Sequence, residues 1–394
     1  MTRPAVLGGE PAFADLLPFA RPNTPPLDRV MARLQPSYDK GILTNGPLVR
    51  ELEQAAAERL GVANVVAVSN CTSGLILSLK ALELRGRVVL PSFTFSASAH
   101  AIVWNGLTPL FAECVPASLQ VDVDDVTARI DADGGQIAAL LATHVFGAPA
   151  PVAPLEALAS RLGVPLVFDA AHALGAEHDG RPVGGHGVAE VFSLSPTKPV
   201  VAGEGGLVAT DRDDIAAFVR IGRDYGNPGN YDTQFVGLNA RMSELHAAVA
   251  LESLAALDEN LAVRRSLAAR YRAGLDAIPG VTTQAITEGD LSTFKDLTIR
   301  IEGDGFGLQR DDVVGALARE GIDTRLYFSP PVHRHQAYAN VASGELPVTD
   351  AAAASVVSLP LFDAMTNETV DKVVDALTAL QAHADEIRPA LASA

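Results

Sequence analysis

Long apolar runs are missing from this 394-residue chain. No stretch approaches the ~20 uninterrupted apolar residues of a membrane-spanning helix, and the opening Met1-Thr2-Arg3-Pro4-Ala5-Val6-Leu7-Gly8-Gly9-Glu10 lacks an extended apolar targeting segment. A cytoplasmic location is therefore expected. Cysteine is nearly absent, and Cys71 and Cys114 have neither metal-ligand spacing nor a disulfide framework, which fits a reducing compartment. No metal site is expected. Positive charge is short: 30 Lys and Arg face 47 Asp and Glu, a formal net charge of −17, and the pI is near 4.9. That balance argues against non-specific binding to nucleic acid or to anionic membranes. An anionic ligand would need a local site. Lysine is scarce too, confined to Lys40, Lys80, Lys198, Lys295 and Lys372.

What is present is a large apolar fraction, 48%, enough for a sizeable core and for two domains or one large domain with an appendage. Between residues 60 and 210, short β-branched runs alternate with helix-like segments: Val65–Val68, Arg87–Leu90, Thr108–Phe111, Ile137–Val145, Pro165–Phe168 and Val191–Leu194. Such alternation predicts an α/β domain with a largely parallel sheet flanked by helices, and a ligand beyond the carboxyl ends of the strands. From Arg241 to about Leu275 an apolar stripe of Leu245, Val249, Leu254, Leu257, Leu261 and Leu267 predicts helix. After Pro279-Gly280, a strand at Leu297–Ile301 and helices at Gln309–Glu320 and Asn367–Ala384 suggest a smaller α+β domain. The expected division is an N-terminal segment, 1–48, packing on the large domain, 49–262, followed by a small C-terminal domain, 263–394.

Of the five lysines, Lys198 is the one framed as a reactive group. It ends Val191-Phe192-Ser193-Leu194-Ser195-Pro196-Thr197-Lys198, a hydroxyl-rich turn followed by Gly203-Glu204-Gly205-Gly206. An amine held in a tight turn and able to lose its proton is suited to bind a carbonyl cofactor. Lys80 lies inside a helical run, Lys372 belongs to a surface-like helix, and Lys295 adjoins Asp296 at the head of a strand.

Asp169 closes the run Val164–Phe168, which would place its carboxylate at the carboxyl edge of the sheet, and two readings are open. It keeps a pyridine nitrogen protonated, or it caps a turn or helix beginning at Ala170. His172 is a donor to the same ring's phenolic oxygen or an ordinary structural histidine. Ser69-Asn70-Cys71-Thr72-Ser73-Gly74 follows the first strand and opens a helix, as a phosphate site or as simple capping. Phe95 stacks on a planar cofactor or packs in the core. Arg325, Tyr327, Phe328, His333 and Arg334, within Thr324–Gln336, meet a diphosphate or base, or form a solvated loop.

Their order (phosphate turn, aromatic, strand-end aspartate, lysine) resembles the DegT/DnrJ/EryC1/StrS sugar aminotransferases over nearly the whole chain. The matching segments also include Leu43-Thr44-Asn45-Gly46-Pro47, Gly237–Glu244 and Ser358-Leu359-Pro360-Leu361. The resemblance implies the pyridoxal-phosphate transferase fold of type I. It implies that Lys198 forms the Schiff base and shuttles the proton, that Asp169 pairs with the pyridine nitrogen, and that Phe95 stacks on the ring. His172 would lie near the phenolic oxygen, where many relatives carry glutamine. Thr72, Ser73 and Ser193 would bind the phosphate, with Asn239 reaching across from a second subunit of a homodimer. Cys71 and Pro199 depart from the family pattern, which usually has glycine and asparagine there.

A member that keeps the lysine is expected to be a transaminase, moving nitrogen from glutamate or glutamine to a ketosugar. The Leu43–Pro47, Asn70–Ser73 and Asp169–Ala173 segments most resemble the branch acting on dTDP-4-keto-6-deoxyglucose. The alternatives are a 3-ketosugar, a cyclitol ketone such as scyllo-inosose, or a non-catalytic ligand-binding regulator of the same fold. A nicotinamide-binding domain would need Gly-x-Gly-x-x-Gly after the first strand, where Ser69–Gly74 stands instead.

Overall fold

The computed structural model of the chain describes residues 3–392. The β-branched runs become Asn64–Val68 (β1), Arg87–Pro91 (β2), Thr108–Ala112 (β3), Ile137–Thr143 (β4) and Leu166–Asp169 (β5). A hairpin of Glu177–His178 (β6) and Arg181–Pro182 (β7) precedes Ala189–Ser193 (β8) and Gly206–Thr210 (β9). Apart from the hairpin, these strands form one seven-stranded sheet in the order β1-β9-β8-β5-β4-β2-β3. Strands β3, β2, β4, β5 and β8 run parallel, while β9 is antiparallel to both neighbours. Both faces are covered by helices, which is why these strands read as continuous apolar runs. Val65 and Ala67 face one layer with Leu52, Phe192 and Leu254; Val66 and Val68 face the other with Leu75, Val191 and Ile215. Each fully buried Leu or Val contributes about 1.5–3 kcal/mol relative to exposure.

Two differences from the sequence reading are local. The expected strand to Val145 stops at Thr143, because Phe146 takes a left-handed backbone (φ 59°) in the turn Val145–Gly147. The expected single helical stretch from Arg241 begins at Glu244 and is broken at Ala256 into Glu244–Ala255 and Leu257–Leu275.

Glu244, fully buried, explains how the chain turns into the helix Pro47–Leu60. Its carboxylate accepts the N–H groups of Gly46, Leu48 and Val49 at 2.9, 3.0 and 3.1 Å, plus the Ser37 hydroxyl at 2.9 Å. An anion at a helix N-terminus satisfies donors that have no intrahelical partner.

Toward the C-terminus, Val281–Thr283 (β10), Leu297–Ile301 (β11) and Val356–Leu359 (β12) form an antiparallel sheet in the order β10-β11-β12. Helices Arg310–Arg319 and Asn367–Ala382 share with it a core of Leu297, Ile299, Val313, Val357 and Leu377. The late helix stops two residues short of the expected Ala384, and a separate helix, Ala384–Ala392, follows.

The N-terminal stretch departs from the expectation for 1–48. Only its second part packs on the large sheet's helices, through Leu27–Asp39. Its first part is joined to the C-terminal unit. The Phe13 and Leu17 N–H groups donate to the carbonyls of Glu320 and Gly321, and those of Ala5 and Ala12 to the Glu320 carboxylate. These backbone donors have no ladder of their own and take acceptors at the end of helix Arg310–Arg319.

Candidate active site

The parallel strands deliver their carboxyl ends to one edge of the sheet, where a cavity of about 320 Å³ opens. Strand β5 ends on Asp169, and β8 ends on Ser193 with Lys198 five residues on, in a turn closed by the Lys198 N–H on the Ser195 carbonyl at 3.0 Å. Strand β1 leads into helix Cys71–Ala81, whose N-cap Asn70 accepts the Ser73 N–H at 2.8 Å. This turn lies tight against β9. A Cβ on Gly206 would come within 2.7 Å of the Asn70 and Cys71 backbone, so only glycine fits.

Asp169 is buried, with both carboxylate oxygens engaged. Ser98 Oγ donates to Oδ2 at 2.6 Å and the Ala171 N–H to Oδ1 at 3.1 Å. Ser98 Oγ is within 3.0 Å of Thr94 Oγ1, itself 2.8 Å from Thr143 Oγ1, so three buried hydroxyls stand in file behind the carboxylate. Burial pushes the Asp169 carboxyl up, opposed by these hydrogen bonds and by Lys198. Asp169 thus caps a turn and also faces the cavity; no helix begins at Ala170.

Lys198 lines the cavity and is partly buried. Loss of hydration, with the charge of Lys295 next in weight, lowers its ammonium from the ordinary range to about 7. A large share of the amine is therefore free near neutrality. Cys71 Sγ lies 3.9 Å from Asp169 Oδ1, and burial pushes its thiol well up, so it stands as SH. Burial, with Lys198 and Lys295, holds His172 well below the ordinary imidazole range, and its buried Nδ1 has no partner. Its ring is stacked on Phe146 and Phe328 at 6.4 and 6.5 Å.

Most of the expected residues meet here. Thr72, Phe95, Asp169, His172, Ser193 and Lys198 all line the cavity. Phe95 is 58% exposed, so it is not a core residue. Ser73 stands aside from the lining, its N–H taken by Asn70. Asn239 is exposed and outside this cavity, with Oδ1 3.4 Å from Arg241 Nη2.

Sequence reasoning passed over two contributors. Ser98 sits in an unremarkable helical run and carries no signal. Lys295, read as a strand head, lines the cavity; its scarcity was the available clue, since Lys40, Lys80 and Lys372 are all exposed. The 324–336 loop divides its residues, with Tyr327 and Phe328 lining the cavity. Arg325 and Arg334 are ion-paired to Asp323 and Asp350, and His333 is buried with Nδ1 2.6 Å from Ser92 Oγ.

A family model for the DegT/DnrJ/EryC1/StrS aminotransferases matches residues 28–378. The chain belongs to this family. It is 30% identical over 371 residues to the dTDP-4-amino-4,6-dideoxy-D-glucose transaminase of Escherichia coli, covering 92% of this chain and 98% of that protein. Among solved structures it resembles DesI, determined in the presence of its TDP-sugar product, with a TM-score of 0.91, 39% identity and 98% of each chain covered. It also resembles DesV of S. venezuelae in complex with a ketimine intermediate, with a TM-score of 0.83, 30% identity, and 92% and 99% of the two chains covered. The chain is thus a sugar aminotransferase of a pyridoxal-phosphate-dependent family, built on that family's fold.

The cavity's chemistry suits the cofactor. A free amine, a buried carboxylate, an exposed phenylalanine face, an unpartnered imidazole nitrogen and a helix N-terminus answer an aldehyde, a ring nitrogen, a π-face, a phenolic oxygen and a phosphate. No described helix is long and apolar enough to cross a membrane.

Proposed function

We propose that the chain moves an amino group from glutamate or glutamine to dTDP-4-keto-6-deoxy-D-glucose, giving dTDP-4-amino-4,6-dideoxy-D-glucose. The observation that carries this reading is the cavity joining Lys198 and Asp169, in a chain so similar to DesI and to the Escherichia coli transaminase. Pyridoxal phosphate, when bound, supplies an electron sink for negative charge on the carbon next to the transferred nitrogen.

The chain's residues do the rest. Lys198 would hold the cofactor through its amine and would carry a proton to and from that carbon. Its low proton affinity suits both tasks, since a base titrating near the working pH gives and takes protons readily. Asp169 keeps a proton on the ring nitrogen, with Ser98 and the Ala171 N–H fixing its oxygens. His172, neutral, serves the phenolic oxygen, and Phe95 covers one ring face. Thr72, with Ser73 behind it, and Ser193 hold the phosphate at the start of helix Cys71–Ala81.

Asn239 completes the phosphate site of a second copy in a homodimer. Its exposure supports this, as do the exposed Tyr225, Tyr231 and Val236 in the same loop region, 49%, 95% and 83% accessible.

The test offers glutamate-treated protein a 4-keto nucleotide sugar, a 3-keto nucleotide sugar and a cyclitol ketone, with product amines read by mass spectrometry. Preferential amination of the 4-ketosugar is expected. Preference for either competitor overturns the substrate, and no amination overturns the reading.

A further inference from the structure

Lys295 stands just before β11 and lines the cavity. Its side chain is only 4% exposed, and Nζ donates to Asp296 Oδ1 at 2.7 Å; Asp296 is itself 2% exposed. An ammonium has three N–H donors, and among the described residues Nζ has no other hydrogen-bond acceptor. Phe19 and Tyr327 offer ring faces at 6.0 and 5.7 Å, a weaker form of compensation. Asp296 Oδ2 is also buried without a partner. A desolvated ammonium with two unspent donors at a cavity wall is built to receive oxygen atoms of an incoming anion. Lys198 is the other cation of the lining, and it is committed to the cofactor.

We infer that Lys295, oriented by Asp296, receives the α-carboxylate of the amino donor. The inference rests on the transaminase reading above. A donor amino acid carries its carboxylate on the same carbon as the transferred nitrogen, so that anion must come to rest close to Lys198. The phosphates of a nucleotide sugar hang from the anomeric carbon, across the ring from a C4 ketone, and so lie farther out. Lys295 is near enough to Lys198 for its charge to be felt there. It is therefore placed for the inner anion.

The experiment separates the two half-reactions in one preparation of cofactor-loaded Lys295→Met protein. Glutamate is added alone and loss of the visible cofactor band is followed; a nucleotide-linked ketosugar is then added to the amine-loaded form and its return is followed. Donor kcat/KM should fall at least about fiftyfold, mainly through KM, while the acceptor half-reaction stays within about threefold. The native preference for glutamate over 4-aminobutanoate, which has no carboxylate on its amine-bearing carbon, should collapse, and Lys295→Arg should restore part of it. The single change leaves Asp296 buried without its cation, so Lys295→Met/Asp296→Leu, which removes both charges, must show the same split. Equal losses in both half-reactions, a loss confined to the sugar half, or an unchanged preference for glutamate overturns the assignment. Normal glutamate use by the native protein with no ketosugar aminated defeats the substrate reading; the donor loss in the variants still supports the carboxylate site.

Discussion

Ser98 Oγ donates to Asp169 Oδ2 at 2.6 Å, the shortest of the bonds that fix this carboxylate. Ser98→Ala removes a buried hydrogen bond to a charged group, worth about 1.5–3 kcal/mol. Steady-state kinetics should show kcat/KM lower by about tenfold to a hundredfold. Thr94→Val, one hydroxyl farther back, should cost less. Wild-type rates in Ser98→Ala would remove the hydroxyl file from the site.

Lys198 sets a pH dependence. Cofactor capture needs its neutral amine, and the ammonium titrates at about 7, so the capture rate by stripped protein should climb through that pH and level off above it. Lys295 opposes the charge on Lys198 and Asp296 favours it, so Lys295→Met should move the midpoint upward. Stopped-flow absorbance at a series of pH values measures both, and an unmoved midpoint would show that the two lysines are not coupled.

The Gly206 contact predicts a cofactor defect. Gly206→Ala forces β9 away from the Asn70–Cys71 turn, a strain of about 1–3 kcal/mol. Affinity for pyridoxal phosphate, read by equilibrium dialysis, should weaken by about tenfold or more.

Glu244 is a stability residue despite lying in a family-matching segment. Glu244→Ala strands three N–H groups and the Ser37 hydroxyl, a loss of about 3 kcal/mol. Urea unfolding of the cofactor-loaded protein should show a lower midpoint at unchanged slope. An unchanged midpoint would mean water replaces the carboxylate without cost.

Subunit mixing tests the role of Asn239. A hybrid of Lys198→Ala and Asn239→Ala chains has one site with both defects and one with neither. Random pairing should then recover about a quarter of the native activity, from two parents that are each nearly inactive. Hybrids isolated by differential tagging that stay inactive would place Asn239 elsewhere.

The parallel strands were legible because burial on both faces writes them as unbroken apolar runs, and most of the cavity lining was legible because it clusters where those runs end. Strand β9 was not, since Gly206 begins it and the glycine signal reads as a turn. Ser98 was hidden because its partner lies 71 residues away. Lys295 was seen and set aside as a residue adjoining Asp296 at the head of a strand, and only the tertiary fold reveals that this pair is buried at the cavity. Glu244 was matched by position, but its use as a cap depends on a helix nearly 200 residues earlier.

The joining of residues 3–19 to the C-terminal unit has a temporal consequence. The segments that carry Asp169, Ser193 and Lys198 are all synthesised by residue 210, whereas Lys295, Tyr327 and Phe328 follow later. The leading stretch, ending at Phe19 beside Lys295, must wait for acceptors at Glu320 and Gly321. During synthesis the cofactor's cradle thus precedes the wall that meets the substrate, and the beginning of the chain is among the last parts to find its place.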